Sequence, residues 1–66
     1  RIFLNQGVAL YKLKRYQEAI DKYNLALEQK VTAEAYDNMG LAYQDLGNKE
    51  RAQSLFKEAK ALRGGQ

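Results

Sequence analysis

The stretch AYDNMGLAYQDLGNKERAQSLFKEA, residues 35–59, decides the fold. Its apolar residues recur at helical intervals: Ala35, Tyr36, Met39, Ala42, Tyr43 and Leu46, then Ala52, Leu55, Phe56 and Ala59, with Leu62 just beyond. That is the period of a helix buried along one stripe, with no alternation that would suit a strand. Between the two stripes stands Gly47-Asn48. Glycine suits the left-handed residue that closes a helix, and asparagine suits the cap that opens the next. The stretch therefore predicts helices from Ala33 to Leu46 and from Lys49 to Leu62. A turn this short folds them back antiparallel.

Thirty-three residues upstream the pattern returns. Gly7 stands for Gly40, Asn5 for Asn38, Ala9 for Ala42, Leu13 for Leu46, Ala19 for Ala52 and Ala26 for Ala59. Phe3, Val8, Leu10 and Tyr23 take the places of Tyr36, Leu41, Tyr43 and Phe56. Two further helices are expected, from Arg1 to about Lys14 and from Tyr16 to Gln29. Helix axes approach to about 8–10 Å only where the crossing side chains are small, so Gly and Ala should mark the crossings. Phe, Tyr and Met39 should fill the space beside them. Thr32 is the expected cap of the third helix. Lys14-Arg15 occupies the place of Gly47-Asn48, which predicts one unfavourable backbone conformation in the first turn. Gly64-Gly65 should stop the last helix.

Composition narrows the rest. The 66 residues include no Cys, no His and no Pro. Disulfides and the usual zinc, haem and iron–sulfur ligands are therefore absent, and no cofactor is expected. No apolar run approaches the roughly 20 residues of a membrane span. The chain starts at Arg1 rather than Met and carries no signal peptide, so an excised segment is expected. The lack of Cys suits a reducing, cytoplasmic setting. At 45% hydrophobic and 29% charged, the composition is that of a folded helical protein. Helices of about 13 residues are too short to stand alone in water, so the stripes must pack together. The fold class is all-α, an array of antiparallel helix-turn-helix repeats. Residues 1–66 form one domain, with units 1–32 and 33–63 and a tail at 64–66.

These residues resemble the tetratricopeptide repeat family. Its first helix carries an aromatic, then Leu-Gly, then Tyr, and its second carries Ala, an aromatic and Ala. The second unit reads Tyr36, Met39-Gly40, Tyr43, Gly47, Ala52, Phe56, Ala59, and the first reads Phe3, Gln6-Gly7, Leu10, Tyr16, Ala19, Tyr23, Ala26. The family repeat is 34 residues, so the link Gln29-Lys30-Val31-Thr32 is one residue short, and it lacks the customary proline. The resemblance implies a non-catalytic protein–protein interaction module, with a groove lined by the first helix of each repeat. Carried over, groove positions fall on Arg1, Leu4, Asn5, Val8, Tyr11 and Lys12, and on Glu34, Asp37, Asn38, Leu41, Gln44 and Asp45. Asn5, Val8, Tyr11, Lys12, Asp37, Asn38, Leu41 and Asp45 are the expected partner contacts. The clamp for a C-terminal carboxylate found in chaperone adaptors is not matched: only Asn38 sits at a clamp-like place.

Other functions have less to stand on. Catalysis has no imidazole or thiol, and Ser54 and Thr32 are the lone Ser and Thr, without an activating context. No Gly-rich phosphate loop is present. The net charge is +3, yet most bases are interleaved with acids; Lys12, Lys14 and Arg15 beside Tyr11 and Tyr16 are the one cluster that could hold RNA. The first and third helices segregate charge. Arg1, Lys12, Lys14 and Arg15 face no acid in their segment, while Glu34, Asp37 and Asp45 face no base. Two copies could meet basic helix to acidic helix. A self-assembly role, through open repeat faces or helix exchange, is the main alternative to peptide recognition, and the open face of the last helix should include some of Leu55, Ala59 and Leu62. An in-register repeat is common to natural and designed sequences.

Overall fold

The structure is a computed structural model that describes residues 1–64; Gly65 and Gln66, and with them most of the expected tail, lie outside the described residues. Four helices follow one another: α1 (Ile2–Lys12), α2 (Tyr16–Gln29), α3 (Ala33–Asp45) and α4 (Lys49–Leu62). The second pair repeats the first at a spacing of 33, with α4 occupying the α2 span to the residue. α1 pairs with α2, α3 pairs with α4, and α2 packs on α3; α1 touches α3 sparingly. α4 rests on α3 alone.

Small residues make these pairings close. A Cβ built on Gly7 would lie 2.6 Å from Cδ1 of Tyr23, and one on Gly40 would lie 2.6 Å from Cε1 of Phe56. No side chain fits there, so each glycine admits an aromatic ring of the second helix against its backbone. Ala19, Ala42, Ala52 and Ala59 are likewise buried. Around them Leu4, Ile20, Tyr23, Ala35, Met39 and Leu55 form the core. Ile20 and Tyr23 are only 1% exposed. Burying a side chain like Ile20 contributes about 1.5–3 kcal/mol, which short helices lacking intrinsic stability require.

The turns match the expectations drawn from them. Lys14 has φ 64°, the unfavourable conformation anticipated in the first hairpin, and Gly47 has φ 91° in the second. The Thr32 side chain accepts a hydrogen bond from the Ala35 N–H at 3.2 Å, and Asn48 accepts one from Arg51 at 3.2 Å. Lys30 and Thr32 are extended, so the short link is spanned by straight chain and α3 begins at Ala33. The last helix ends at Leu62 with Arg63 as its cap, and Gly64 follows at φ 128°, as Gly47 follows the Leu46 cap of α3.

Three expectations need correction. Ala9 marks no crossing: it is exposed, because no helix lies against that side of α1. Ala26 is only partly buried. Leu55 and Ala59 do not form an open face; both are buried, because α4 turns its apolar stripe back onto α3. Only Leu62 of that trio is exposed, so a self-association patch of these three residues does not exist on the folded chain.

Candidate functional site

α1 and α3 are equivalent helices, and α2 between them returns the chain so that both run in the same direction. Equivalent groove positions therefore line up level with one another. At the start of the two helices, Arg1 donates from Nη2 to Oε1 of Glu34 at 3.1 Å. At their ends, the Tyr11 hydroxyl donates to Oδ2 of Asp45 at 2.6 Å. Two bridges thus tie α1 to α3 at opposite ends of the shared face, where the backbones themselves meet little. The Arg1–Glu34 pair is exposed and is worth about 0–1 kcal/mol; its use is register more than stability.

Between the bridges lie Asn5, Val8, Asn38 and Leu41. Asn5 is exposed, Val8 and Asn38 are partly buried, and Leu41 is 40% exposed. Val8 packs down onto the core, so the middle of the face is an apolar strip with an amide on either helix. Among the described residues, none of the side-chain hydrogen bonds uses Asn5 or Asn38. Lys12 is exposed at the far end. Leu4, carried over as a groove position, is buried in the core instead.

The acidic side chains of α3 each find a partner within the chain. Glu34 holds Arg1, Asp45 holds Tyr11, and Asp37 pairs with Arg63 at the cap of α4. On the basic side only Arg1 meets this acidic helix; Arg15 pairs with Glu18 of α2, and Lys12 and Lys14 form no ion pair among the described residues. The sequence showed the charges but not their partners, since bridges across 33 or 34 residues have no local signature. Tyr11 is less available than expected: besides Asp45, its ring meets that of Tyr16 edge to face, with centroids 5.4 Å apart. Its hydrogen bond to Asp45, followed by burial and by the carboxylate charge, pushes the hydroxyl up to about 12.

Those contacts also thin the RNA candidate. Arg15 is paired with Glu18 at 3.0 Å, and Tyr11 and Tyr16 are turned against each other rather than outward as stacking platforms. Thr32 is spent on its cap. Among the described residues no group of His, Cys, Asp and Glu is placed to hold a metal, and no helix is long and apolar enough to cross a membrane.

Sequence reasoning missed one part of the site. At the Arg1–Glu34 end the shared face deepens into a cleft floored by Phe3, Leu4 and Ala26 and edged by Gln29, Lys30 and Thr32. It forms where the end of α2 and the extended link leave a gap beside the start of α1.

A family model described as tetratricopeptide repeat matches residues 1–63. No curated protein and no solved structure matches the chain. The match runs through both hairpins and covers each glycine–aromatic crossing, and the chain belongs to the tetratricopeptide repeat family.

Proposed function

We propose that this chain binds an extended segment of a partner protein along the face shared by α1 and α3. The family generally mediates protein–protein interaction, and its domains are typically non-catalytic. The observation that carries the finer reading is the strip between the two bridges. Asn5 and Asn38 carry amides with both donor and acceptor capacity, suited to the backbone of an extended peptide. Val8 and Leu41 offer apolar contact between them. Lys12 adds a charge at one end, while Tyr11, Asp37 and Asp45 hold the rim in place. The cleft beside Phe3 and Leu4 would receive one apolar side chain of the ligand.

The test is selection from a random peptide library against the folded chain, followed by titration of the selected peptides. Asn38→Ala, Leu41→Ser and Lys12→Glu should each weaken binding while circular dichroism stays unchanged. Peptides that bind all three variants as well as the parent would overturn the assignment. RNA recognition would instead show a steep loss of affinity with salt and depend on Lys12 and Lys14 alone.

A further inference from the structure

Two like seats lie side by side on the face between α1 and α3. Arg1 and Glu34 hold equivalent positions, 33 residues apart, and their side chains meet at 3.1 Å. The helices are therefore level, and the equivalent residues between the bridges are level too. Asn5 and Asn38 form one such pair, Val8 and Leu41 another. On each helix the amide and the apolar side chain are three residues apart and share a face. Neither amide takes part in a side-chain hydrogen bond among the described residues. The acids around the strip are engaged, Glu34 by Arg1, Asp37 by Arg63 and Asp45 by Tyr11. An uncharged ligand core suits such a strip, because a charge buried there would find no free partner.

The spacing of the seats selects the ligand's conformation. Packed helices lie about 8–10 Å apart, and a ligand that fills both seats alike must repeat itself at that distance. A β-strand presents one face every two residues, at about 6.4–6.8 Å, and falls short; four residues, at about 13 Å, overshoot. An α-helix comes back into register after two turns, at about 11 Å, but its backbone groups bond one another and leave the amides nothing to hold. Polyproline II repeats every three residues, at about 9.3 Å, and its backbone has no internal hydrogen bonds. That conformation meets both the distance and the amides.

We infer that the groove takes a polyproline II segment of a partner protein, proline-rich and uncharged at its centre, which crosses α1 and α3 with an apolar residue at every third position. The inference rests on the groove reading above and names its ligand class. One apolar residue lies on Val8 beside Asn5, and the residue three further on lies on Leu41 beside Asn38. Each asparagine amide donates to a ligand carbonyl. Proline fixes the ligand's shape before binding, so little ordering is left to oppose the contact. A second copy of the chain is the wrong occupant, since its 66 residues include no Pro.

The test titrates the full chain into fluorescein-labelled peptides and reads anisotropy. The probe is a nonapeptide of three Leu-Pro-Pro units. One control has the same residues reordered so that the leucines stand two apart, which fills one seat and misses the other. A second control has three Leu-Gly-Gly units, which keep the count between leucines but lose the preset rise. Both controls should bind at least about tenfold more weakly, since burial of one aliphatic side chain is worth that much and preorganisation is worth a similar amount. Leu41→Ser should bring the Leu-Pro-Pro probe down to the level of the reordered one, with circular dichroism unchanged. Equal binding of the three peptides, or no binding of the Leu-Pro-Pro probe, overturns the inference. Library-selected peptides that still lose affinity on Leu41→Ser would then leave the groove reading standing without it. Selected peptides indifferent to Leu41→Ser would overturn both.

Discussion

The two hairpins of this chain turn through the same backbone with different chemistry. In the first, Leu13, Lys14 and Arg15 join α1 to α2; in the second, Leu46, Gly47 and Asn48 join α3 to α4. Arg15 sits at φ −94°, ψ 70° and Asn48 at φ −95°, ψ 79°. The Arg15 N–H donates to the Leu10 carbonyl at 2.9 Å, and the Asn48 N–H donates to Tyr43 at 2.9 Å. Lys14 bonds Tyr11 as Gly47 bonds Gln44. Both ends are the Schellman closure, with its left-handed residue, yet only the second has glycine there and a side-chain cap after it. Identical geometry from unequal residues means that the turn does not choose its own shape. The crossings choose it, through Gly7 under Tyr23 and Gly40 under Phe56. Turn residues then adjust how much the shape costs.

The largest effects should follow from the crossings. Gly7→Ala gains about 1 kcal/mol of helix propensity but forces a methyl into the Tyr23 ring, and overpacking costs about 1–3 kcal/mol. Tyr23 is sealed between two hairpins and cannot step aside, whereas Phe56 lies at the open end and is partly exposed. Gly7→Ala should therefore lower the urea midpoint clearly more than Gly40→Ala. Equal losses, or a larger one at Gly40, would mean that the inner and outer crossings are equally rigid.

Next come the caps. Asn48→Ala removes the bond to the Arg51 N–H and should cost about 1 kcal/mol. Arg15→Ala removes no cap, only an exposed pair with Glu18, and should cost between about 0 and 1 kcal/mol. Urea denaturation of the two variants side by side checks this. If Arg15→Ala proves the costlier, the first turn is held by something other than packing.

Lys14→Gly should go the other way. A left-handed conformation costs an ordinary residue about 1–2 kcal/mol, and part of that relief is offset by the extra freedom of glycine in the unfolded chain. A net gain of about 0.5–1 kcal/mol is expected, read as a rise in the denaturation midpoint. A variant no more stable than the parent would show that Lys14 makes a compensating contact.

The repeat, the four helices, the strained first turn and the Thr32 and Asn48 caps were all legible, because each leaves a local or periodic mark. The orientation of α4 was not. Leu55, Ala59 and Leu62 form a stripe on paper, but which neighbour a stripe faces depends on the chain around it; α3 takes the first two and leaves Leu62 outside. Of the positions carried over from the resemblance, Asn5 and Leu41 are exposed and Asn38 is partly buried. Leu4 is buried, and the partners of Glu34, Asp37 and Asp45 needed coordinates, since each bridge joins residues far apart in sequence.

The smallest expected effect concerns Tyr11, whose equivalent one repeat later is Gln44. Its hydrogen bond to Asp45 favours the protonated hydroxyl in the folded chain, and so raises its folded value to about 12 from an unfolded value near 10. The associated stabilisation is complete below about pH 10 and is lost as pH rises through about 12. Burial raises Tyr23 in the same direction, so the parent should lose stability on that alkaline side from both groups. Tyr11→Phe removes one of them. Its midpoint should fall less than the parent's between about pH 9 and about pH 11.5, even if it starts slightly lower. An unchanged alkaline slope would mean that the Tyr11–Asp45 bridge does not persist in solution. The α1–α3 face would then be fastened at the Arg1–Glu34 end alone.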